Sequence, residues 1–481
     1  MKLSALLGHA TATDEVVTGF AIDNRKVAPG TIFGAFQGAT VNGEDYIPAA
    51  VAAGAIAVVA RPQALVEGAL HIGSDNPRAT FADLAARFFA PFPATCVAPT
   101  GTNGKTSTVE LTRQLWYLVG ERAASVGTLG ITTADGSLKD GTGGLTTPDV
   151  VSFLANVAGL AREGITHLAF EASSHGLAQY RTQGLPVAAA AFTNLTRDHL
   201  DYHGTMEAYF QAKLRLFTEV LADNGAAVVW RDDQAEGADY NRRICEAVTA
   251  RGLRLLTVGP DGETLRLVKR TPTLLGQTLA VEADGKSHSI TLPLIGAYQA
   301  ANALCAAGLV MTTGGDTAKT LAALSRVTGV RGRLERAVIT ASGAPVYVDY
   351  AHTPDALRAA IAALRPHTAN RLILAFGAGG DRDTGKRPEM GAIAVAEADV
   401  AIVTDDNPRG EDPAAIRAMI LTAAPGAREI GDRRAAITAA VRMAGPGDVV
   451  LIAGKGHEQG QIVAGRTLPF DDVSVAREAA Q

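Results

Sequence analysis

The chain has 481 residues, 47% hydrophobic and 19% charged, with 44 basic against 49 acidic side chains and a net charge of −5. That apolar content excludes a disordered chain, and the balanced charge offers neither a basic surplus for nucleic acid nor an acidic tail. At roughly 150 residues per domain, the length predicts about three domains. Cys96, Cys245 and Cys305 are far apart and odd in number. They suggest no disulfide framework and no metal pattern, which points to a reducing compartment. The longest apolar stretch, 47–60, contains Pro48 and falls short of the roughly 20 residues a span needs. No signal-peptide pattern follows Asp14 and Glu15, so a cytoplasmic protein without membrane insertion is expected.

In the first 92 residues, strands are predicted at 31–36 and 55–60, with a helical stretch at 48–54 between them. The prolines in Phe89-Ala90-Pro91-Phe92-Pro93 mark a first domain boundary. An apolar run at 95–98 leads into a Gly-rich loop and a helical pattern over 106–119. The runs 167–170, 187–192 and 226–230 read as buried strands of a mostly parallel sheet. Residues 253–294 alternate between apolar and polar and predict a small antiparallel excursion. Residues 297–312 read as a buried helix. A second boundary falls near 329–332. Beyond it, strands at 345–349, 372–376, 400–404 and 449–453 alternate with helices at 354–364, 387–397, 413–421 and 435–443. This is the pattern of a doubly wound α/β domain. The expected division is 1–92, 93–330 and 331–481.

The sharpest local signal is Gly101-Thr102-Asn103-Gly104-Lys105-Thr106-Ser107, between a strand and a helix. Glycines let successive backbone N–H groups converge on phosphate oxygens, and the helix N-terminus adds a positive dipole end. Lys105 is placed to reach the terminal phosphates and the Thr106 hydroxyl to ligate Mg²⁺. Pro99 stands where the full phosphate-loop pattern has its first glycine. Such a loop says nucleoside triphosphate; it does not separate a motor, a kinase, a ligase or a switch.

Glu171, at the end of the 167–170 strand, is a Mg²⁺ candidate, since hard cations take oxygen ligands. Asp198, His199, Asp201 and His203 form a dense polar cluster. It suits a metal site, an acid/base site or a polar loop, and its spacing fits no zinc pattern. Lys213 lies in a helical stretch, 206–217, and reads locally as an exposed helix lysine.

Taken together, GTNGKT, EASSHG, TNLTRDHLDYHG, AKLRLF, GAYQAANAL, GRLE, VDYAHTPDAL, GAGGDRDTGKRPEMG, DDNPRGE and AGKGHE resemble the Mur ligases, ATP-dependent amino-acid ligases of peptidoglycan synthesis. The resemblance runs in order along nearly the whole chain. Within the family it is to the branch adding meso-diaminopimelate to UDP-N-acetylmuramoyl-L-alanyl-D-glutamate. It implies a UDP-binding N-terminal α/β domain, a central ATP-binding domain like the P-loop NTPases, and a Rossmann-like C-terminal domain. It also implies a monomer with Mg²⁺ and ATP as cofactors, whose other substrates are the UDP-linked dipeptide and diaminopimelate.

The resemblance assigns residues too. Asn24 stands where the family commonly has Ser in its uridine signature, and Asn42, in the segment 38–43, where it has Asp. Thr146, Thr147, Ser173, Gln179 and Arg181 match positions that hold the UDP-linked substrate. In AKLRLF the lysine is carbamylated in the family, which overturns the exposed reading of Lys213. The resemblance gives catalytic roles to Lys105, Lys213 and His199, and puts Glu171, His199 and modified Lys213 around one Mg²⁺, with Thr106 and Glu171 at another. Asn302 and Arg333 match ATP positions, and the family places ATP where the central and C-terminal domains meet.

Arg382, Asp406, Asn407, Pro408, Arg409, Gly454 and Glu458 match the diaminopimelate site. Diaminopimelate carries a second carboxylate that lysine lacks, and a planar guanidinium at Arg409 suits it. A lysine-adding ligase is expected to lack Arg409. A folylpolyglutamate synthase shares the fold without the DNPR and GKGHE segments, and an ATP-driven switch needs no amino-acid reader.

Overall fold

The computed structural model describes all residues except 12–13, 39–40, 134, 140–144 and 274. Ala39 and Thr40, within the expected uridine segment 38–43, therefore lie outside the described residues. The chain forms two units. The first comprises Met1–Arg266 and Asn302–Thr320, the second Leu267–Ala301 and Leu321–Gln481.

The first unit begins with a four-stranded parallel sheet of Gly19–Ala21, Thr31–Gly34, Ala55–Ala60 and Leu70–Gly73, in chain order. Its two central strands are mainly apolar because both faces are covered. Ile32, Ala57 and Val59 pack with Phe81 on one side. Phe33, Val58 and Ala60 pack with Ile47 and Ala50 on the other. Helix Pro77–Phe89 starts with Pro77 in its first turn, and Asn76 caps it by accepting from the Ala79 N–H. The apolar stretch 47–60 divides into a helix, Ile47–Ala52, and the strand Ala55–Ala60.

The same unit carries the sheet of the phosphate loop. Six parallel strands run in the order Arg254–Gly259, Leu221–Trp230, Val187–Phe192, Thr95–Thr100, His167–Phe170, Ala123–Gly127. Two short antiparallel strands, Gly130–Thr132 and Leu138–Lys139, follow. Strand Thr95–Thr100 thus sits between two strands that come later in the chain. Loops from three adjacent C-terminal strand ends gather where ligands bind in such sheets. The antiparallel expectation for 253–294 needs correction at its start, because Arg254–Gly259 pairs parallel with Leu221–Trp230. Its Leu-Leu-Thr-Val run buries Leu256, Thr257 and Val258, as an internal strand must. Gly276–Ala283 and Lys286–Leu292, in the second unit, do pair antiparallel. They turn at Asp284 and Gly285, with φ of 50° and 70°, the left-handed values a tight hairpin requires.

The second unit holds a six-stranded sheet ordered Glu335–Ile339, Pro345–Asp349, Val449–Ala453, Leu372–Phe376, Val400–Val403, Arg428–Glu429. Only the first pairing is antiparallel. Alternate residues of one strand serve opposite cores: Leu372, Leu374 and Phe376 face one, Ile373 and Ala375 the other. Helices Pro354–Leu364, Lys386–Glu397, Pro413–Leu421 and Arg433–Met443 cover it as the alternating pattern predicts. The last starts two residues before its expected 435, because Asp432 caps it by accepting from the Ala435 N–H.

Candidate functional site

In the first unit the phosphate loop links strand Thr95–Thr100 to helix Lys105–Leu118. Gly101 and Gly104 adopt φ of 152° and 89°. A Cβ at Gly101 would come within 2.0 Å of Thr193 Oγ1, and one at Gly104 within 2.3 Å of Asn302 Oδ1. Both positions therefore demand glycine for backbone angle and for space. The loop after Val187–Phe192 braces this turn. Asn194 O accepts from the Thr102 N–H at 2.9 Å and Asn194 Oδ1 from the Asn103 N–H at 3.0 Å, while the Thr193 hydroxyl donates to Asn103 O at 2.7 Å. Lys105 donates to Gly101 O at 2.9 Å and to Thr102 O at 2.8 Å, which keeps its ammonium over the loop. Thr106 and Ser107 are buried in the first helical turn. The arrangement is a rigid anion receptor with one lysine over it.

Lys213 is fully buried, which overturns its local reading as an exposed helix lysine. It lies four residues after Tyr209 and three after Phe210, on the buried face of helix Met206–Arg215. That spacing is a sequence signal for burial. Its Nζ donates to Gly101 O at 2.7 Å and lies 4.6 Å from the Tyr209 ring centroid. Burial pushes the amine well below the ordinary lysine range, and the nearby positive charge of Lys105 adds to the shift. Both effects favour the neutral, nucleophilic amine over the ammonium.

Glu171 is buried at the end of His167–Phe170, and both its carboxylate oxygens are held by Thr128. The Thr128 N–H donates to Oε1 at 2.7 Å and the hydroxyl to Oε2 at 3.2 Å. Gly127 makes room, since a Cβ there would approach Oε1 to 2.3 Å. Several residues expected at the UDP-linked substrate converge beside it. Thr128 Oγ1 lies 3.2 Å from Thr146 Oγ1, and Thr147 Oγ1 donates to Glu171 O at 2.8 Å and lies 2.9 Å from Ser173 Oγ. Arg181 donates to Thr147 O at 2.7 Å and to Gln179 Oε1 at 2.8 Å. Burial lowers the Arg181 pKa from its ordinary value, with Asp149 opposing.

The sequence reading missed His175. Its ring lies 4.9 Å from that of His199, 5.4 Å from His203 and 4.1 Å from Tyr202, centroid to centroid. Burial, then the neighbouring His199 and His203, lower it to about 4. His199 sits at φ 53° ahead of the short helix Leu200–His203, and burial lowers its pKa as well. The dense cluster is thus a packed aromatic group of three histidines and Tyr202. Nothing in the sequence around His175 announced its membership.

Asn24 opens a turn, Asn24–Lys26, capped by Asp23 through the Arg25 N–H. It lines a cavity of about 830 Å³ with Phe36, Tyr46, Arg78, Asp149 and Ser152 among others. Asp149 caps helix Val150–Arg162 directly after Thr147 and Pro148, so the cavity and the Thr147 cluster share one chain segment.

In the second unit, the residues expected to read the amino acid come together at the C-terminal strand ends, with Arg382 at their edge. Asp406 and Asn407 are buried. Among the described residues Asp406 Oδ2 is buried without a hydrogen-bond partner, and a Cβ on Gly454 would approach it to 2.3 Å. A buried acceptor left open in this way suits a ligand donor. Asn407 Nδ2 donates to Glu458 Oε2 at 2.7 Å. Arg409 adopts φ 53°, a strained value for a non-glycine residue, and its Nη1 donates to Gly380 O at 2.9 Å. Arg382 is exposed in the adjoining loop and donates to Asp381 O at 3.1 Å.

Arg333 stacks 4.8 Å over the Tyr350 ring, and its carbonyl accepts from Gln299 at 3.1 Å. Asp349 is buried and accepts from the Leu334 N–H at 2.7 Å and the Ala351 N–H at 2.8 Å. Burial raises its carboxyl to about 6, against the pull of Arg333. The folded state therefore binds this proton more tightly than the unfolded chain. The cost of burying the ionised form is present above pH 6 and is lost as pH falls through the folded pKa toward 4. Relative to the parent, Asp349→Asn should gain up to about 3 kcal/mol between pH 4 and pH 7. Denaturant melts at the two pH values check this, and a pH-independent difference rejects it.

Comparisons with known proteins agree with this arrangement. The Mur ligase middle domain model matches residues 100–310, the Mur ligase glutamate ligase domain 332–456, and the Mur ligase family catalytic domain 16–88. A UDP-N-acetylmuramoyl-L-alanyl-D-glutamate--2,6-diaminopimelate ligase of Zymomonas mobilis subsp. mobilis is 59% identical over 470 residues, covering 97% of this chain and 95% of its own. The protein of the same name from Caulobacter vibrioides is 52% identical over 485 residues, covering 100% and 99%. A solved structure of a ligase of that name has 33% identity and a TM-score of 0.73, covering 100% of this chain and 98% of its own. The MurF ligase of Thermotoga maritima in complex with ADP, at 18% identity and a TM-score of 0.63, shares the fold over 96% of this chain and 97% of its own. With a glycine-shaped phosphate loop, a buried lysine beneath it and relatives spanning its full length, the chain belongs to the Mur ligase family.

Proposed function

We infer that the chain is an ATP-dependent ligase of peptidoglycan biosynthesis, joining meso-diaminopimelate to UDP-N-acetylmuramoyl-L-alanyl-D-glutamate with release of ADP and phosphate. The observation that carries this is full-length identity of 46–59% to ligases bearing that name. The D-glutamyl carboxylate attacks the γ-phosphorus of ATP and gives an acyl phosphate. The amine of diaminopimelate then attacks that carbonyl, and phosphate leaves.

In this reading residues 1–92 hold the uridine end, with Asn24 in the 830 Å³ cavity. Residues 93–330 carry the phosphate loop, and residues 331–481 read the amino acid. Gly101–Ser107 and Asn302 bind ATP, and the family resemblance gives Arg333 a role toward the same nucleotide. Thr146, Thr147, Ser173, Gln179 and Arg181 hold the peptide end of the UDP-linked substrate. Asp406 to Arg409, with Arg382, Gly454 and Glu458, take diaminopimelate. Catalysis is mainly positioning and charge neutralisation at the phosphates.

The donors near the phosphate loop fit Mg²⁺, because the Thr106 hydroxyl and the fixed Glu171 carboxylate offer oxygen. When bound, the ion neutralises charge on the phosphates. Among the described residues no three His, Cys, Asp or Glu side chains are grouped to hold a metal unaided. A carbamate on Lys213 adds an anionic oxygen donor, and His199 completes the proposed set. The neutral amine, which burial favours here, is the form that adds CO₂. No described helix is long and apolar enough to cross a membrane, and a cytoplasmic monomer is proposed.

Phosphate release tests the assignment. It should require both the UDP-linked dipeptide and diaminopimelate, and release with neither would make the chain a nucleotide-driven switch. Lys213 is tested separately. Lys213→Met should lower product formation by roughly 100-fold or more. Native mass spectrometry of the parent should show one CO₂ adduct that acid removes. An unmodified parent with full activity overturns the carbamate.

A further inference from the structure

Lys455 is fully buried in the loop after Val449–Ala453. Its ammonium makes three bonds: to Asn407 Oδ1 at 3.0 Å, Glu458 Oε2 at 3.1 Å and Gly460 O at 2.5 Å. Three acceptors match the three donors of a lysine. They come from the loop after Val400–Val403, from its own loop and from the start of hairpin strand Gly460–Val463. Asn407 Oδ1 also accepts from the Ile462 N–H at 2.9 Å, and Ile462 O accepts from the Arg409 N–H at 2.9 Å. One buried cation is thus bonded directly to Asn407 and Glu458 and, through one hairpin residue, sets the backbone of Arg409.

We propose that Lys455 is a positioning residue that sets the preference for diaminopimelate over lysine. This rests on the diaminopimelate-adding reading above. Glu458 Oε2 is occupied by Lys455 and Asn407, so the carboxylate is fixed in rotation and can present only its other oxygen to an incoming ammonium. The charge of Lys455 also offsets that of Glu458. A ligand with only a distal ammonium gains little from such a compensated carboxylate. A ligand with a distal carboxylate as well gains from the held guanidinium of Arg409. Removing the Lys455 charge frees Asn407 and Arg409 to shift and deprives Glu458 of its direct ion-pair partner. The first effect weakens diaminopimelate, and the second favours lysine.

The test uses the full chain with ATP and the UDP-linked dipeptide, and compares the parent, Lys455→Met and Lys455→Gln with each amino acid. A parent that does not turn over diaminopimelate defeats the functional reading itself, whatever the variants do. With an active parent, Lys455→Met should raise the KM for diaminopimelate roughly 10- to 100-fold, the usual consequence of misplacing a binding group by about an ångström. The KM for lysine should stay level or fall, and the KM for ATP should not move. Lys455→Gln, which keeps N–H donors without the charge, should lie between. Equal rises for both amino acids, or for ATP as well, overturn the proposal. So does failure of both variants to fold, which would make Lys455 a structural residue only.

Discussion

Lys105→Ala should leave the fold intact and nearly abolish product at saturating ATP. Lys105 and Lys213 converge on one acceptor, Gly101 O, at 2.9 and 2.7 Å. After burial, the Lys105 charge is the next cause that holds the Lys213 pKa down. A bound triphosphate supplies the missing negative charge. In the proposed reaction Lys105 follows that charge as it develops during transfer. Loss of one donor of this kind typically costs about 10²–10³ in kcat. The loop is braced by Thr193 and Asn194 without the Lys105 side chain, so the thermal midpoint of the chain should hold. A turnover assay with a parallel melt checks both halves. Near-normal turnover would remove the phosphate loop from the reaction.

Arg409→Ala should cost selectivity more than it costs catalysis. The guanidinium is held by Gly380 O, and the backbone around it is strained and stitched to the 460–463 hairpin. Strain of this kind persists only where surrounding contacts over-determine it. If Arg409 receives the distal carboxylate of diaminopimelate, its loss leaves that carboxylate desolvated and unpaired. Such a loss costs about 2–5 kcal/mol, or roughly 30- to several-thousand-fold in kcat/KM. Lysine has no such carboxylate, and its poor use should fall much less, with the KM values for ATP and the UDP-linked substrate little changed. Arg409 does not cap the helix that follows it, Pro413–Leu421, because Asp412 does. Equal losses with both amino acids would leave Arg409 as a support for the Gly380 loop.

Much of this molecule was legible in local pattern. Helices Pro354–Leu364 and Pro413–Leu421 and strands Pro345–Asp349, Leu372–Phe376 and Val449–Ala453 follow the expected bounds residue for residue. A strand buried on both faces must be apolar along its length, and prolines and caps mark where helices begin. The phosphate loop was equally legible, since its glycines answer a backbone requirement that no other residue meets.

What tertiary structure decided has a different character. Lys213 reads as an exposed lysine until its helix packs and its amine meets a carbonyl 112 residues away. His175 joins His199 and His203 only through packing of separate segments. Lys455 stands beside a glycine in a short loop, yet it closes a network reaching 48 residues back to Asn407. The 253–294 region alternates like an antiparallel excursion, but its first strand was drawn into the parallel sheet by the neighbour available to it. Periodicity along a chain states which face is apolar and where elements stop. It carries no record of which distant carbonyl or carboxylate will meet a buried charge, and that pairing determines whether a lysine is a solvated surface group, a neutral nucleophile or the anchor of a binding site.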